Sequence, residues 1–217
     1  ARRLDIYLHI FSKLLLHPEF KDFNGIGLVI QAYQTRSSIV ADYIIDLAKR
    51  TGKKIPVRLV KGAYWDYEIK YAQENNLKYY PVFTKKEYTD YNYISIAKKF
   101  LAHDEYIYPG FATHNALTAA TIIQIAGNKQ FEFQKLHGMG SVLHEDLVKK
   151  YKVRVYAPVG KTYDLLAYLM RRLLENGANA CFVNQVNNAD IPLSELAYDI
   201  NNKLADCLNT KEKIPLP

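Results

Sequence analysis

The chain has 217 residues, 49% of them hydrophobic and 24% charged, with 10 Gly, 8 Pro and 2 Cys. That composition excludes disordered, collagen-like and coiled-coil chains, and two cysteines (Cys181 and Cys207) exclude a disulfide scaffold and fit a reducing compartment. A net charge of +7 invites a polyanion partner, yet the lysines come as scattered pairs (Lys53-Lys54, Lys85-Lys86, Lys98-Lys99, Lys149-Lys150), without a zinc-finger or RNA-recognition signature.

The first expected element is a helix, with Leu4, Tyr7, Leu8, Phe11, Leu14 and Leu15 at spacings of three and four. The opening Ala1-Arg2-Arg3 lacks Met, as expected of a fragment or a processed product. A turn at Asn24-Gly25-Ile26-Gly27 leads to a strand, Leu28-Val29-Ile30, ending at Gln31. Helical periodicity covers about Ser38 to Arg50 and stops at Thr51-Gly52-Lys53-Lys54. Pro56–Val60 reads as a strand, followed by helices over Tyr67–Glu74 and Tyr91–Ala102. Strand-like Ile107–Thr113 precedes helical Ala116–Ala126. Strand-like Phe131–Leu136 is broken by His137-Gly138-Met139-Gly140. Val153–Ala157 is the last strand, and Tyr163–Asn176 is a strong helix ended by Gly177. Asp190–Glu195 looks like a loop leading into a helix, and Ile214-Pro215-Leu216-Pro217 like an extended linker. No apolar run reaches the roughly 18 residues of a membrane span.

Short apolar strands alternating with helices imply about five β/α units on a parallel sheet. A doubly wound sheet can stop at five, whereas a closed barrel needs eight. The G-x-G-x-x-G phosphate fingerprint is absent. Sites in such folds form at the carboxyl ends of strands. Here those ends are Gln31, Lys61–Asp66, Thr113-His114-Asn115, His137-Gly138 and Tyr156–Gly160, as suitable for a ligand mouth as for contact with water.

Strand alternation puts Arg58 and Val60 on one face and Val57, Leu59 and Lys61 on the other. Parallel strands are normally buried on both faces, so Arg58 calls for a partner: a bound anion, an electron-rich ring or an interior carboxylate. On the last helix Leu165, Leu166, Leu169, Met170 and Leu173 share one side, and Tyr168, Arg171, Arg172 and Glu175 the other. Adjacent arginines can clamp a carboxylate. Periodicity by itself favours a solvated face with an Arg171–Glu175 pair. The six histidines show no metal-ligand pairing, so no metal is expected.

Several runs carry a specific resemblance. They are Ile30-Gln31-Ala32-Tyr33-Gln34; Arg58–Asp66 with Glu68-Ile69-Lys70; Phe111–Asn115; Leu136–Gly140; Tyr156–Gly160; and Arg171–Asn179 followed by Phe182-Val183-Asn184. In this order they resemble the proline dehydrogenase family over nearly the whole chain. Tyr80–Lys85 looks most like its bacterial bifunctional members, in which a pyrroline-5-carboxylate dehydrogenase domain follows in the same polypeptide. The resemblance implies an α/β fold: a partial, distorted (β/α) TIM-type barrel of parallel strands. Residues 1–185 would be its C-terminal part, strands four to eight, and residues 186–217 a post-barrel segment and linker. Further family groups, including a lysine and an aspartate, belong to the earlier strands. Tyr67 stands where a small residue is usual, and Gln185 where Arg is usual.

By the same resemblance, Gln31, Arg58, Val60, Lys61, Gly62, Ala63, Trp65, Thr84, Lys85, Thr113, His114 and Asn115 would contact FAD, with Arg58 near the hydride-accepting nitrogen. Arg171 and Arg172 would grip the carboxylate of L-proline. Tyr156, Tyr168, Leu136 and Ala63 would wall its ring. Tyr64 would close over the site, and Glu175 would orient an arginine. Arg58, Tyr64 and Tyr156 are the expected catalytic residues. The implied reaction moves a hydride from proline to flavin, giving pyrroline-5-carboxylate, and passes the electrons to a membrane quinone. That suits a basic cytoplasmic protein, peripheral on the inner face of the cell membrane. The alternative is an inert barrel piece that self-associates without flavin.

Overall fold

The structure is a computed structural model that describes residues 3–177, 200–210 and 214–217, except the side chains of residues 173–177, 200 and 203. Helix α1 (Leu4–Leu16) and a short 3-10 turn (Pro18–Phe20) precede strand β1 (Leu28–Gln31). Then follow α2 (Ser37–Thr51), β2 (Ile55–Val60), α3 (Trp65–Glu74), α4 (Lys86–Ala102), β3 (Ile107–Ala112) and α5 (Ala116–Ala126). Strand β4 (Glu132–Leu136), α6 (Ser141–Leu147), β5 (Lys152–Tyr156), α7 (Thr162–Gly177) and α8 (Ile200–Leu208) complete it.

The five strands are parallel and lie in sequence order, β1-β2-β3-β4-β5. A doubly wound sheet reverses its strand order at a switch point; a sheet that only advances keeps its crossover helices on one side, as in a barrel wall. Strand β2 shows the result, because Ile55, Val57 and Leu59 are buried while Pro56, Arg58 and Val60 are half-buried. The expectation that both faces are fully buried is therefore corrected. One face carries the helices, and the other is concave, lined by Arg58, Glu132, Gln134 and Tyr156.

The helix-side core joins Leu28, Ile30, Val57, Leu59, Phe111 and Phe133 to Ile44 and Leu47 of α2, Tyr93, Ile96 and Phe100 of α4, and Ile122 of α5. Each large apolar side chain removed from water there contributes roughly 1.5–3 kcal/mol. Polar atoms in this layer are matched. Asn92 donates to the Ala32 carbonyl and to Ser37 Oγ, both at 2.7 Å.

Two elements differ from the expectations. Helix α6 fills a stretch without a predicted element; its seven residues are too few for a periodic signal. Helix α4 begins at Lys86 rather than near Tyr91, because its first turns bury Thr89 and Asp90 instead of apolar residues. The expected loop at Asp190–Glu195 and the Phe182-Val183-Asn184 motif lie outside the described residues, as does Gln185.

Candidate functional site

The site is built on the concave face and the strand ends above it. On β4 the alternation places Glu132, Gln134 and Leu136 on this face, and Phe133 behind it against Tyr151. Leu136 is in register with Tyr156 of β5. The Tyr156 ring lies under the Arg58 guanidinium, 4.2 Å from its centroid, a cation–π contact. Arg58 Nη1 also donates to Gln134 Oε1. Arg58 thus has partners, and neither is the interior carboxylate that a buried salt bridge would require.

The loop after β2 carries most of the remaining strand-end groups. Gly62 has a φ of 137°, and a Cβ there would come 2.5 Å from the ring of Tyr33. Both backbone and space therefore demand glycine. Ala63 and Tyr64 are exposed. Trp65 packs beside Tyr33, Ile69 and Val82, and its indole N–H donates to the Phe83 carbonyl at 2.8 Å. Phe83 N–H donates in turn to the Tyr33 carbonyl, tying the Tyr80–Lys85 loop to the end of β1. Gln31 ends β1, and Thr84 lies half-buried just before α4.

Lys61 is ion-paired with Asp90 of α4, which also meets Lys86 at 3.1 Å. Burial works against the Asp90 carboxylate, but Lys61 and Lys86 outweigh it and hold the pKa below its ordinary value. Lys61 and Asn115 line a cavity of about 670 Å³ between α4, α5 and Asn201 of α8. The ammonium of Lys85 is bound to the post-barrel segment, donating to the carbonyls of Cys207 (2.9 Å) and Thr210 (2.7 Å).

Thr113, His114 and Asn115 form a turn that opens α5. Asn115 caps the helix, its Oδ1 accepting from Thr118 N–H at 2.9 Å, and Thr113 Oγ1 accepts from Asn115 N–H. His114 Nε2 accepts from Leu136 N–H at 3.3 Å. Its pKa is lowered to about 4, by burial first and then by His144, Arg172, Lys135 and Arg58. The rings of His114 and His144 are 5.5 Å apart. Gly140, at φ 58°, leaves room for both, since a Cβ there would be 2.9 Å from His114.

On α7 the structure reverses the solvated arginine face that periodicity favours. Leu166, Leu169 and Met170 are exposed, whereas Tyr168, Arg171 and Arg172 are half-buried. The Arg171 guanidinium lies 4.9 Å from the centre of the Tyr64 ring, and Arg172 lies 5.1 Å from that of Tyr168. Arg171 Nε is buried and has no hydrogen-bond partner among the described residues. The Glu175 side chain lies outside the described residues, so the Arg171–Glu175 pair does too.

Arg58, Leu136, Tyr156 and His114 are thus brought together, and Tyr64, Tyr168, Arg171 and Arg172 form a second group on α7 and the β2 loop. Gln31, Gly62, Ala63 and Trp65 border them. Sequence reasoning missed Asp90, Glu132, Gln134, Arg154 and His144. The signal for Glu132 and Gln134 was there, as two polar residues alternating with Phe133 in a short strand. Among the described residues no group of three or more His, Cys, Asp or Glu is placed to hold a metal ion.

The family profile described as Proline dehydrogenase matches residues 1–185. The bifunctional protein PutA of Klebsiella aerogenes is 54% identical over 210 residues, covering 92% of this chain and 16% of that protein. Proline dehydrogenase 1 of Bacillus subtilis (strain 168) is 33% identical over 187 residues, covering 83% of this chain and 55% of that protein. A crystal structure of a Bradyrhizobium japonicum proline utilization A (PutA) mutant superposes with a TM-score of 0.91 at 50% identity, covering 99% of this chain and 23% of that one. Proline utilization A from Bdellovibrio bacteriovorus, inactivated by N-propargylglycine, superposes with a TM-score of 0.89 at 36% identity, covering 98% and 22%.

Proposed function

Because the chain belongs to the proline dehydrogenase family, we propose that the full-length protein oxidises L-proline to pyrroline-5-carboxylate, with FAD as oxidant and a membrane quinone as final acceptor. The observation that carries this reading is the half-buried arginine face of α7. Arg171 and Arg172 are each set over a tyrosine ring, and Arg171 Nε has no acceptor among the described residues. Such a pair matches the two oxygens of a carboxylate.

FAD supplies the hydride acceptor. The donor set fits it. Arg58 and Lys61 are cations, Gln31, Thr84, Thr113 and Asn115 are polar groups at or near the strand ends, and Val60, Gly62, Ala63 and Trp65 give apolar or open flanks. Lys85, whose ammonium is held by the Cys207 and Thr210 carbonyls, would meet the cofactor through its backbone or stem. Arg58 holds a permanent positive charge on the concave face and favours electron density gained beside it, without needing to titrate. Arg171 and Arg172 orient proline by its carboxylate. Leu136, Tyr156 and Tyr168 confine its ring, and Tyr64 stands over Arg171 as a cover. His114, with a pKa of about 4, is neutral at pH 7, so its ring adds no charge to the site. Glu175 would orient an arginine.

The bifunctional relatives support a pyrroline-5-carboxylate dehydrogenase domain elsewhere in the same polypeptide, which would consume the product. The quinone step would put the protein in the cytoplasm at the inner face of the cell membrane. No helix among the described residues is long and apolar enough to cross one.

An absorbance spectrum of the purified full-length protein tests the reading. Flavin bands that bleach on adding L-proline are the expected result. A colourless protein, or bands that proline leaves unchanged, would overturn it, and a colourless oligomer would favour an inert, self-associating barrel piece.

A further inference from the structure

The concave face holds a polar chain that none of the roles above explains. Arg58 stands on β2 and Gln134 on β4, with β3 between them, so the two backbones are about 9–10 Å apart. Their side chains meet because Gly110 of β3, in register with Arg58, has none. A Cβ on Gly110 would come 2.4 Å from Gln134 Nε2. The φ of Gly110 is not positive, so glycine is needed here for space alone.

The amide is also oriented. Gln134 Nε2 donates to Glu132 Oε1 at 2.8 Å. Glu132 is buried and accepts from Arg154 Nε at 2.6 Å, Arg154 Nη2 at 2.8 Å and the Tyr108 hydroxyl at 3.3 Å. A carboxylate only accepts and a guanidinium only donates. With Glu132 on one side and Arg58 on the other, a single amide orientation satisfies both: NH₂ to Glu132, carbonyl to Arg58. The flipped amide would set oxygen against carboxylate and NH₂ against guanidinium. Both bonds in the favoured orientation are charge-assisted.

We propose that Gln134 is a positioning residue for Arg58: Glu132 aligns its amide, and the amide carbonyl holds the guanidinium over the ring of Tyr156. Arg58 is long and has many rotamers, and the pair Gln134–Tyr156 leaves it one place. The role of Arg58 at the cofactor rests on the function proposed above; the placement of its side chain by Gln134 does not.

The test is Gln134→Leu in the full-length flavin-loaded enzyme, read in three ways. Proline turnover is expected to fall about tenfold or more, as for a misplaced catalytic group. KM for proline should change less than about threefold, because Arg171 and Arg172 are untouched. A crystal structure of the variant should show Arg58 off the Tyr156 ring. Should leucine at this position prevent folding, the Glu132→Gln/Gln134→Glu double variant rebuilds the chain with the charge moved one place. It should keep Arg58 in position and restore most of the turnover lost in Gln134→Leu or in Gln134→Glu alone, where two carboxylates face each other. Packing without positioning predicts no such rescue. An unmoved Arg58 in Gln134→Leu with turnover within about twofold of wild type, or a double variant as impaired as the singles, would overturn the proposal. If the wild-type protein proves neither yellow nor active, the functional reading fails, and the crystallographic position of Arg58 in Gln134→Leu still decides this one.

Discussion

The two faces of the one sheet divide the work of the protein. On the helix side, Val57, Leu59, Phe111 and Phe133 are at most 1% exposed and belong to the apolar core. On the concave side the alternate residues of the same strands are Arg58, Gly110, Glu132, Gln134, Arg154 and Tyr156, joined by hydrogen bonds and ring contacts. A period of two lets each strand serve both faces, so one residue can be lost from a face without displacing its neighbour on the other. Fold stability and site chemistry should therefore separate on mutation.

The sharpest break of that division is on the helix side. Phe111→Ala removes a wholly buried ring that packs at a tilt against Phe131, and a cost of about 3–5 kcal/mol in urea or thermal unfolding is expected. Protein that remains folded at low temperature should keep its affinity for proline. The complementary change is Arg172→Ala. Its guanidinium lies outside the core, so unfolding should shift by less than about 1 kcal/mol. The loss of a charge-assisted contact to the substrate carboxylate, about 2–3 kcal/mol, should raise KM for proline by roughly 30- to 150-fold. Unfolding and steady-state kinetics on both variants check the division. A core variant that loses proline affinity, or an arginine variant that unfolds easily, breaks it.

Legibility in the sequence follows the same line. The helix side was readable because its signal is local: apolar residues at period two in Ile55–Leu59 and at period 3.6 in α2 name the strand, the helix and the faces that meet. The concave side was readable only where motif resemblance supplied it. Arg58 was recognisable as a charge within an apolar strand, but its partners Gln134 and Tyr156 lie 76 and 98 residues further on, and no periodicity links them. On α7 the hydrophobic pattern pointed the wrong way. Leu166, Leu169 and Met170 are more exposed than Arg171 and Arg172, since a helix that faces a polar site is not sorted by the core. Asp90 was hidden for a similar reason, because a carboxylate on α4 looks solvated until Lys61 is placed beside it.

Asp90 offers a smaller test, at the border of the two faces. Asp90→Asn leaves Lys61 half-buried beside Lys86 without the anion between them. Removing one partner of a fully buried pair costs about 3–5 kcal/mol, and the partial exposure of Lys61 reduces that to about 2 kcal/mol. Thermal unfolding reads the loss, and its size should shrink at high salt. A neutral outcome would mean that solvent already screens the pair, placing Lys61 with the surface rather than with the site.

The smallest expected effect is in pH, and it isolates the strand-end histidines. The pKa of His114 is lowered from 6.5 to about 4, and His144 is lowered too, chiefly by burial. Between pH 6.5 and 4 the unfolded chain therefore binds protons that the native chain refuses. Stability is complete above that window and falls as the pH drops through it. Glu132 and Asp90 are held below their ordinary values of 4.5 and 3.8, so their contributions are lost mainly below about pH 4.5. The range from pH 6.5 to 5 thus belongs to the histidines. His114→Asn should flatten the fall there by about 1 kcal/mol, allowing for partial exposure. Urea unfolding at pH 7 and pH 5 measures it. A variant with the wild-type slope would show that His114 takes up its proton in the native state as readily as in the unfolded one, and that the cations Arg58, Lys135 and Arg172 do not press on its ring.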